Sequence, residues 1–221
     1  MLHTPQALRA HLRAGFTLIE LLAVILIIGI LMVFLLPKIP EAIDAGKVTA
    51  CKANLKEIFG GLVIYNTKYN RIPDQSGVRF FSSLISKGVW ENSKASVQKL
   101  TCPGVDIGAL AIGGIENPED WFSNVDVIDG EYSSYAGRDT KNFPLRKFPG
   151  SDKEPIVADD NVGDLTEGNH RTTTCVLYAS GSVGTFEIFE LQEKGVVDKE
   201  TPVLVVGPES PVDELRKLSV D

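Results

Sequence analysis

Between Gly15 and Pro37 the chain reads GFTLIELLAVILIIGILMVFLLP, and this stretch limits every fold the remainder can adopt. Phe16 to Leu36 is a run of 21 residues in which only Thr17, Glu20 and Gly29 interrupt the apolar side chains. At about 1.5 Å per helical residue, such a run crosses a hydrocarbon layer about 30 Å thick. A plain anchor gains nothing from a carboxylate there, since an acidic residue costs about 2.5–3.5 kcal/mol at mid-membrane and less toward the ends. Glu20 therefore asks for a partner. The rest of the 221 residues suffices for one modest domain.

Arg9 and Arg13, with His3 and His11 beside them and no acid before the span, predict a cytoplasmic N-terminus and export of the bulk of the chain. The net charge of −7, without basic tracts, argues against nucleic-acid binding. Cys51, Cys102 and Cys175 allow at most one internal disulfide, which export would permit. The candidate pair is Cys102 with Cys175, because Cys51 falls on a long helix; buried or free thiols are the alternative.

A secretory cleavage site would follow the apolar stretch, but Pro37, Lys38, Ile39 and Pro40 fit one badly. The cut is expected before the span. There, Arg13-Ala14-Gly15-Phe16-Thr17-Leu18-Ile19-Glu20-Leu21-Leu22 resembles the class III signal of type IV pilins and type II secretion pseudopilins. That resemblance implies cleavage after Gly15 by a prepilin peptidase, N-methylation of Phe16, and retention of the apolar segment as the first half of a long helix. It also implies a bend or local melting at Pro37, and Pro40, which likewise lacks an N–H to donate, is a second weak point. Cleavage would create an α-amine at Phe16, four residues before Glu20 and on the same helical face. In a filament the Glu20 carboxylate can meet the amine of a neighbouring subunit and so select the stagger between subunits.

Beyond Pro40 the apolar positions Val48, Cys51, Leu55, Ile58, Phe59, Leu62, Tyr65 and Tyr69 recur at steps of three and four, the stripe of an amphipathic helix that ends before Pro73. Gly60-Gly61 is a weak point within it. Val78 to Lys87 suits a short helix, and 104–124 reads as loop. Tyr132 to Ala136, Pro155 to Ala158, Thr173 to Ala179 and Ser182 to Phe189 are candidate strands, the last two joined by a tight turn at Ser180-Gly181. The expected fold is α+β: a long N-terminal helix, its first half transmembrane, packed against a small antiparallel β-sheet in the pilin-like manner. The expected organisation is a leader over 1–15, helix over 16–72 with 16–36 in the membrane, a globular part over 73–194, and a tail over 195–221.

The C-terminal half also resembles a pseudopilin-like group that ends in a His, nine residues, Asp-Gly pattern. It does so through Leu100-Thr101-Cys102-Pro103, Tyr132 to Gly137, and His170 followed by Ser180-Gly181. Ser180 replaces the Asp, so any role of that Asp does not carry over. Asp159, Asp160 and Asp164 offer hard oxygens to Ca²⁺, and some secretion pseudopilins bind calcium in a C-terminal loop, but the spacing is not that of an EF-hand and solvated turn acids are the simpler reading. His170 stands outside 1–15 without another histidine, so a zinc site would have to recruit cysteines; a hydrogen-bonded loop histidine is simpler. Ser134, His170 and Asp159 lack the nucleophile-elbow context of a hydrolase.

These features point to a structural subunit of a type II secretion pseudopilus or a type IV pilus-like filament, and not to an enzyme. The resemblance implies a prepilin peptidase, other pilin or pseudopilin subunits and an inner-membrane assembly platform as partners, with no certain cofactor beyond the calcium candidate. The expected location is the bacterial inner membrane, single-pass, with the C-terminal domain outside. A membrane-tethered exported enzyme or binding module that uses the leader only for export is the alternative.

Overall fold

The computed structural model describes residues 16–161 and 168–221, and the chain forms two units, 1–42 and 43–221. The leader, with Gly15, and the candidate ligand Asp164 lie outside the described residues.

In the first unit, helix α1 runs over Leu18–Leu35. Thr17 caps it: its hydroxyl accepts from the Glu20 N–H at 3.3 Å, while Glu20 Oε2 accepts from the Thr17 N–H at 2.9 Å. This reciprocal pairing is a capping box, and it satisfies two donors that a helix start leaves open. Leu36–Lys38 forms a 3-10 turn. Pro37 has no N–H to donate to the preceding turn, so the α-type ladder is interrupted at that point. Helix α2 then spans Ile39–Tyr69. Asn70, with φ 53°, ends it in the left-handed conformation that asparagine tolerates.

The second unit is built on α2. Cys51, Leu55, Ile58, Leu62 and Tyr65 are buried along one face as the stripe predicts, Val48 and Phe59 are half-buried, Tyr69 is exposed, and Gly60-Gly61 leaves the helix unbroken. Helix α3 covers Val78–Ser86 and α4 covers Lys94–Gln98. The stretch from α4 to the sheet, which includes the predicted loop over 104–124, contains short 3-10 turns, several capped by Asp or Asn, and the one over Gly130–Tyr132 occupies the expected start of the first strand.

The strands are β1 Tyr135–Arg138, β2 Pro155–Asp159, β3 Thr173–Tyr178, β4 Val183–Glu187 and β5 Leu218–Ser219. They form one antiparallel sheet in the order β4-β3-β2-β1-β5. The β3–β4 hairpin turns at Ser180-Gly181 as expected. Gly181 has φ +92°, and a Cβ there would lie 2.6 Å from the Phe59 ring, so this position requires glycine on both counts.

The sheet carries a layer on each face. Tyr135, Ile156, Val157, Cys175 and Leu177 join the core beneath α2 and α3, with an irregularity in β2 that turns the adjacent Ile156 and Val157 to the same side. Ala136, Ala158 and Val176 face the other way, against α5 (Ile188–Glu193) and Leu204, Val206, Leu215 and Leu218. Residues 195–221, expected as a tail, are thus the second covering layer and supply the fifth strand. That this packing left no local signal has a simple cause. Strands buried on both faces lose the apolar–polar alternation that would have announced an outer partner.

Candidate functional site

Two features stand out from the packed domain. The first is α1, where every large apolar side chain from Phe16 to Leu36 is exposed, from 44% at Val24 to 79% at Phe16. Soluble domains rarely leave a contiguous surface of this kind without a lipid or protein partner. Glu20 sits one turn into it. The capping box gives this carboxylate a local role that the sequence reading missed, although Thr-x-x-Glu before an apolar run is its signature.

The second feature is buried where α2 meets the sheet. Cys51 projects from α2, Asp159 from the end of β2, Cys175 from β3, and His170 from the loop that leads into β3; all four are buried. Asp159 is fully buried. Its Oδ2 accepts from the Cys175 N–H at 2.6 Å, and its Oδ1 accepts from the Cys51 thiol at 3.3 Å and from Asn169 Nδ2 at 3.4 Å. His170 Nε2 lies 3.7 Å from Asp159 Oδ2 and 3.2 Å from Cys102 Sγ. On the other side of the ring, Nδ1 is buried without a hydrogen-bond partner, 3.8 Å from Asp44 Oδ1 on α2. Asp44 also accepts from the Arg171 N–H at 3.4 Å. Tyr135 brings its hydroxyl to 3.3 Å from Cys51 Sγ.

The electrostatics follow from this crowding. Hydrogen bonding to Cys102, burial and the Asp159 charge push the Cys51 thiol well above its usual range. Contact with Cys51 and burial do the same to Cys175, and burial raises Cys102. Burial by itself pushes the His170 imidazole down, but its bond to Cys175 and the charges of Asp159 and Asp44 more than offset this and leave it raised. Among the described residues no lysine or arginine pairs with Asp159.

The remaining expected residues divide as follows. Cys51, Cys102 and Cys175 are all free thiols, so the Cys102–Cys175 bond is not formed; the helix position that set Cys51 aside in fact carries it into the same cluster. Of the candidate calcium ligands, Asp159 is buried and so is not a solvated turn acid. Its carboxylate accepts from the Cys51 thiol and the Cys175 N–H, while Asp160 lines a separate cleft with Glu131 and Ser134. Ser134 is used in packing: its hydroxyl accepts from the Cys102 N–H at 2.7 Å. Sequence reasoning missed Asp44 and Asn169, whose contacts run between distant segments and leave no local pattern.

An exposed apolar helix followed by an amphipathic helix on an antiparallel sheet defines a membrane-anchored α+β chain of pilin-like fold. Residues 11–36 match the family described as the prokaryotic N-terminal methylation motif. The type II secretion system core protein G of Pseudomonas aeruginosa is 40% identical over 53 residues, covering 24% of this chain and 37% of that protein. The chain thus spans little more than a third of the length of this curated relative. No solved structure matches it. Both findings support the pilin and pseudopilin resemblance carried by Arg13 to Leu22.

Proposed function

We propose that this chain is a subunit of a type II secretion pseudopilus or a type IV pilus-like filament, processed after Gly15 and assembled through α1. The observation that carries the reading is the coincidence of the methylation motif over 11–36 with a helix whose large apolar side chains are all exposed. A pure anchor needs the apolar surface but not the motif. In this reading prepilin peptidase cuts on the cytoplasmic side, Phe16 becomes the N-methylated terminus, and Glu20 meets the Phe16 amine of an adjacent subunit. Lipid holds the apolar helix before assembly and neighbouring helices hold it afterwards. Other pilin or pseudopilin subunits and an inner-membrane platform are the partners, the N-terminus is cytoplasmic, and the domain lies outside. The role is structural rather than catalytic.

Mass spectrometry of the N-terminus, from cells with and without prepilin peptidase, tests this. Methylated Phe16 is expected only when the peptidase is present. A mature protein that begins elsewhere, or that is identical in both strains, overturns the proposal and favours a plain anchor for an exported binding module or enzyme.

A further inference from the structure

Helix α2, strands β2 and β3 and the loop before β3 each send one metal-ligating side chain to a single buried point. We propose that Cys51, Asp159, His170 and Cys175 form a site for one divalent metal ion of the zinc class, held between α2 and the sheet.

The geometry carries this. One ligand atom from each residue lies within 4.8 Å of all the others. Tetrahedral zinc, with sulfur at about 2.3 Å and nitrogen or oxygen at about 2.0–2.2 Å, needs ligand atoms about 3.3–3.8 Å apart. Cys51 Sγ to Asp159 Oδ1 at 3.3 Å already has that spacing, and His170 Nε2 stands 3.7 Å from the second oxygen of the same carboxylate, Oδ2. The other separations, all within 4.8 Å, need an inward shift of at most about 1 Å to close the set.

Two further observations fit a cation. Asp159 is fully buried with no lysine or arginine paired to it among the described residues, and the positive charge nearest it is that of its fellow ligand His170, 3.7 Å away, when that ring is protonated. His170 Nδ1 is an orphan. With Nε2 on a metal, the ring proton sits on Nδ1 and faces Asp44, the carboxylate that then orients the ligand. The donor set of two sulfurs, one nitrogen and one oxygen favours zinc over calcium or magnesium. Binding releases the two thiol protons to solvent, so the ligands enter as thiolates. Asp44, Lys47, Gly104 and Asn169 line a cleft of ≈ 350 Å³ that includes His170 and gives a route in.

Cys102 is left outside the set, with its sulfur beside the His170 ring. A Cys102–Cys175 disulfide and this metal site exclude each other, because both use Cys175.

The test uses the full-length chain in detergent, reduced, stripped of metal and reloaded with Zn²⁺ or Co²⁺. About one equivalent should survive gel filtration. The cobalt form should show thiolate-to-metal charge transfer and the absorption of a tetrahedral ion, and Tm should rise with Zn²⁺ but not with Ca²⁺. Cys175→Ser and His170→Gln should lose the ion, and Cys102→Ser should keep it. Because a core variant can fail to fold, the wild-type cobalt spectrum stands as an independent readout. No retained metal, no thiolate band, equal Tm in Zn²⁺ and chelator, or loss of the ion in Cys102→Ser would overturn the site. So would a Cys102–Cys175 bond that forms in the presence of Zn²⁺.

Discussion

Gly60 and Gly61 are neighbours in the interior of α2, yet alanine at the two positions should have opposite consequences. A Cβ on Gly60 has nothing within 4 Å, whereas one on Gly61 would lie 2.7 Å from Leu84 Cδ1 and 3.0 Å from two ring atoms of Trp90. The backbone contribution is common to both, since alanine is favoured over glycine inside a helix by about 1 kcal/mol. At Gly60 that is the whole effect. At Gly61 the new methyl must displace its neighbours. The Leu84 methyl can swing aside, but the indole is flat and rigid, and overpacking of this kind costs about 1–3 kcal/mol. The net for Gly61→Ala therefore runs from no change to a loss of about 2 kcal/mol. For a domain of this size, with about 2–4 °C of Tm per kcal/mol, Gly60→Ala should melt roughly 2–4 °C higher than wild type. Gly61→Ala should lie between no change and roughly 8 °C lower. Thermal melts of the full-length protein in detergent, followed by circular dichroism, measure both. An equal rise in the two variants would refute the close packing of Leu84 and Trp90 on α2.

Two other perturbations separate local from functional roles. Glu20→Gln keeps an acceptor for the Thr17 N–H but removes the charge, so export should continue while the sedimentable filament fraction falls by roughly tenfold or more. Thr17→Ala removes the cap and keeps the charge; if it alone abolishes assembly, the carboxylate acts through the cap and the pairing between subunits is wrong. Tyr178 is pushed up to about 12 by burial, by the nearby Glu214 charge and by its 3.2 Å hydrogen bond to that carboxylate. The unfolded chain loses this proton at lower pH than the folded one, so stability should fall as pH climbs from the ordinary tyrosine value of 10.0 toward about 12. Tyr178→Phe should flatten that part of a urea-midpoint profile, and an unchanged slope would rule Tyr178 out as its source.

Most of the meander was legible because β3, β4 and their turn carry local chemistry: apolar runs bounded by Ser180-Gly181. The α2 stripe was legible for the same reason, its period being written into consecutive residues. The second covering layer was not, since Ala136, Ala158 and Val176 announce only that something small is buried, not what buries it. The thiol cluster was least legible. Cys51 and Asp159 stand 108 residues apart and Cys102 and His170 stand 68 apart, with none of the close cysteine spacing by which zinc sites are found in sequences. Only the pairing of β2 with β3 under α2 brings them together.

At one edge of the sheet β5 has two residues, while at the other β4 has five and runs directly into α5 at Ile188. An open sheet edge is where unrelated or identical chains add themselves strand by strand. Here that invitation is nearly withdrawn at the β5 end, which presents two residues. In the proposed filament, self-recognition would then rest on α1, and the β5 side of the sheet offers little for growth by the amyloid-like route that a longer edge would open.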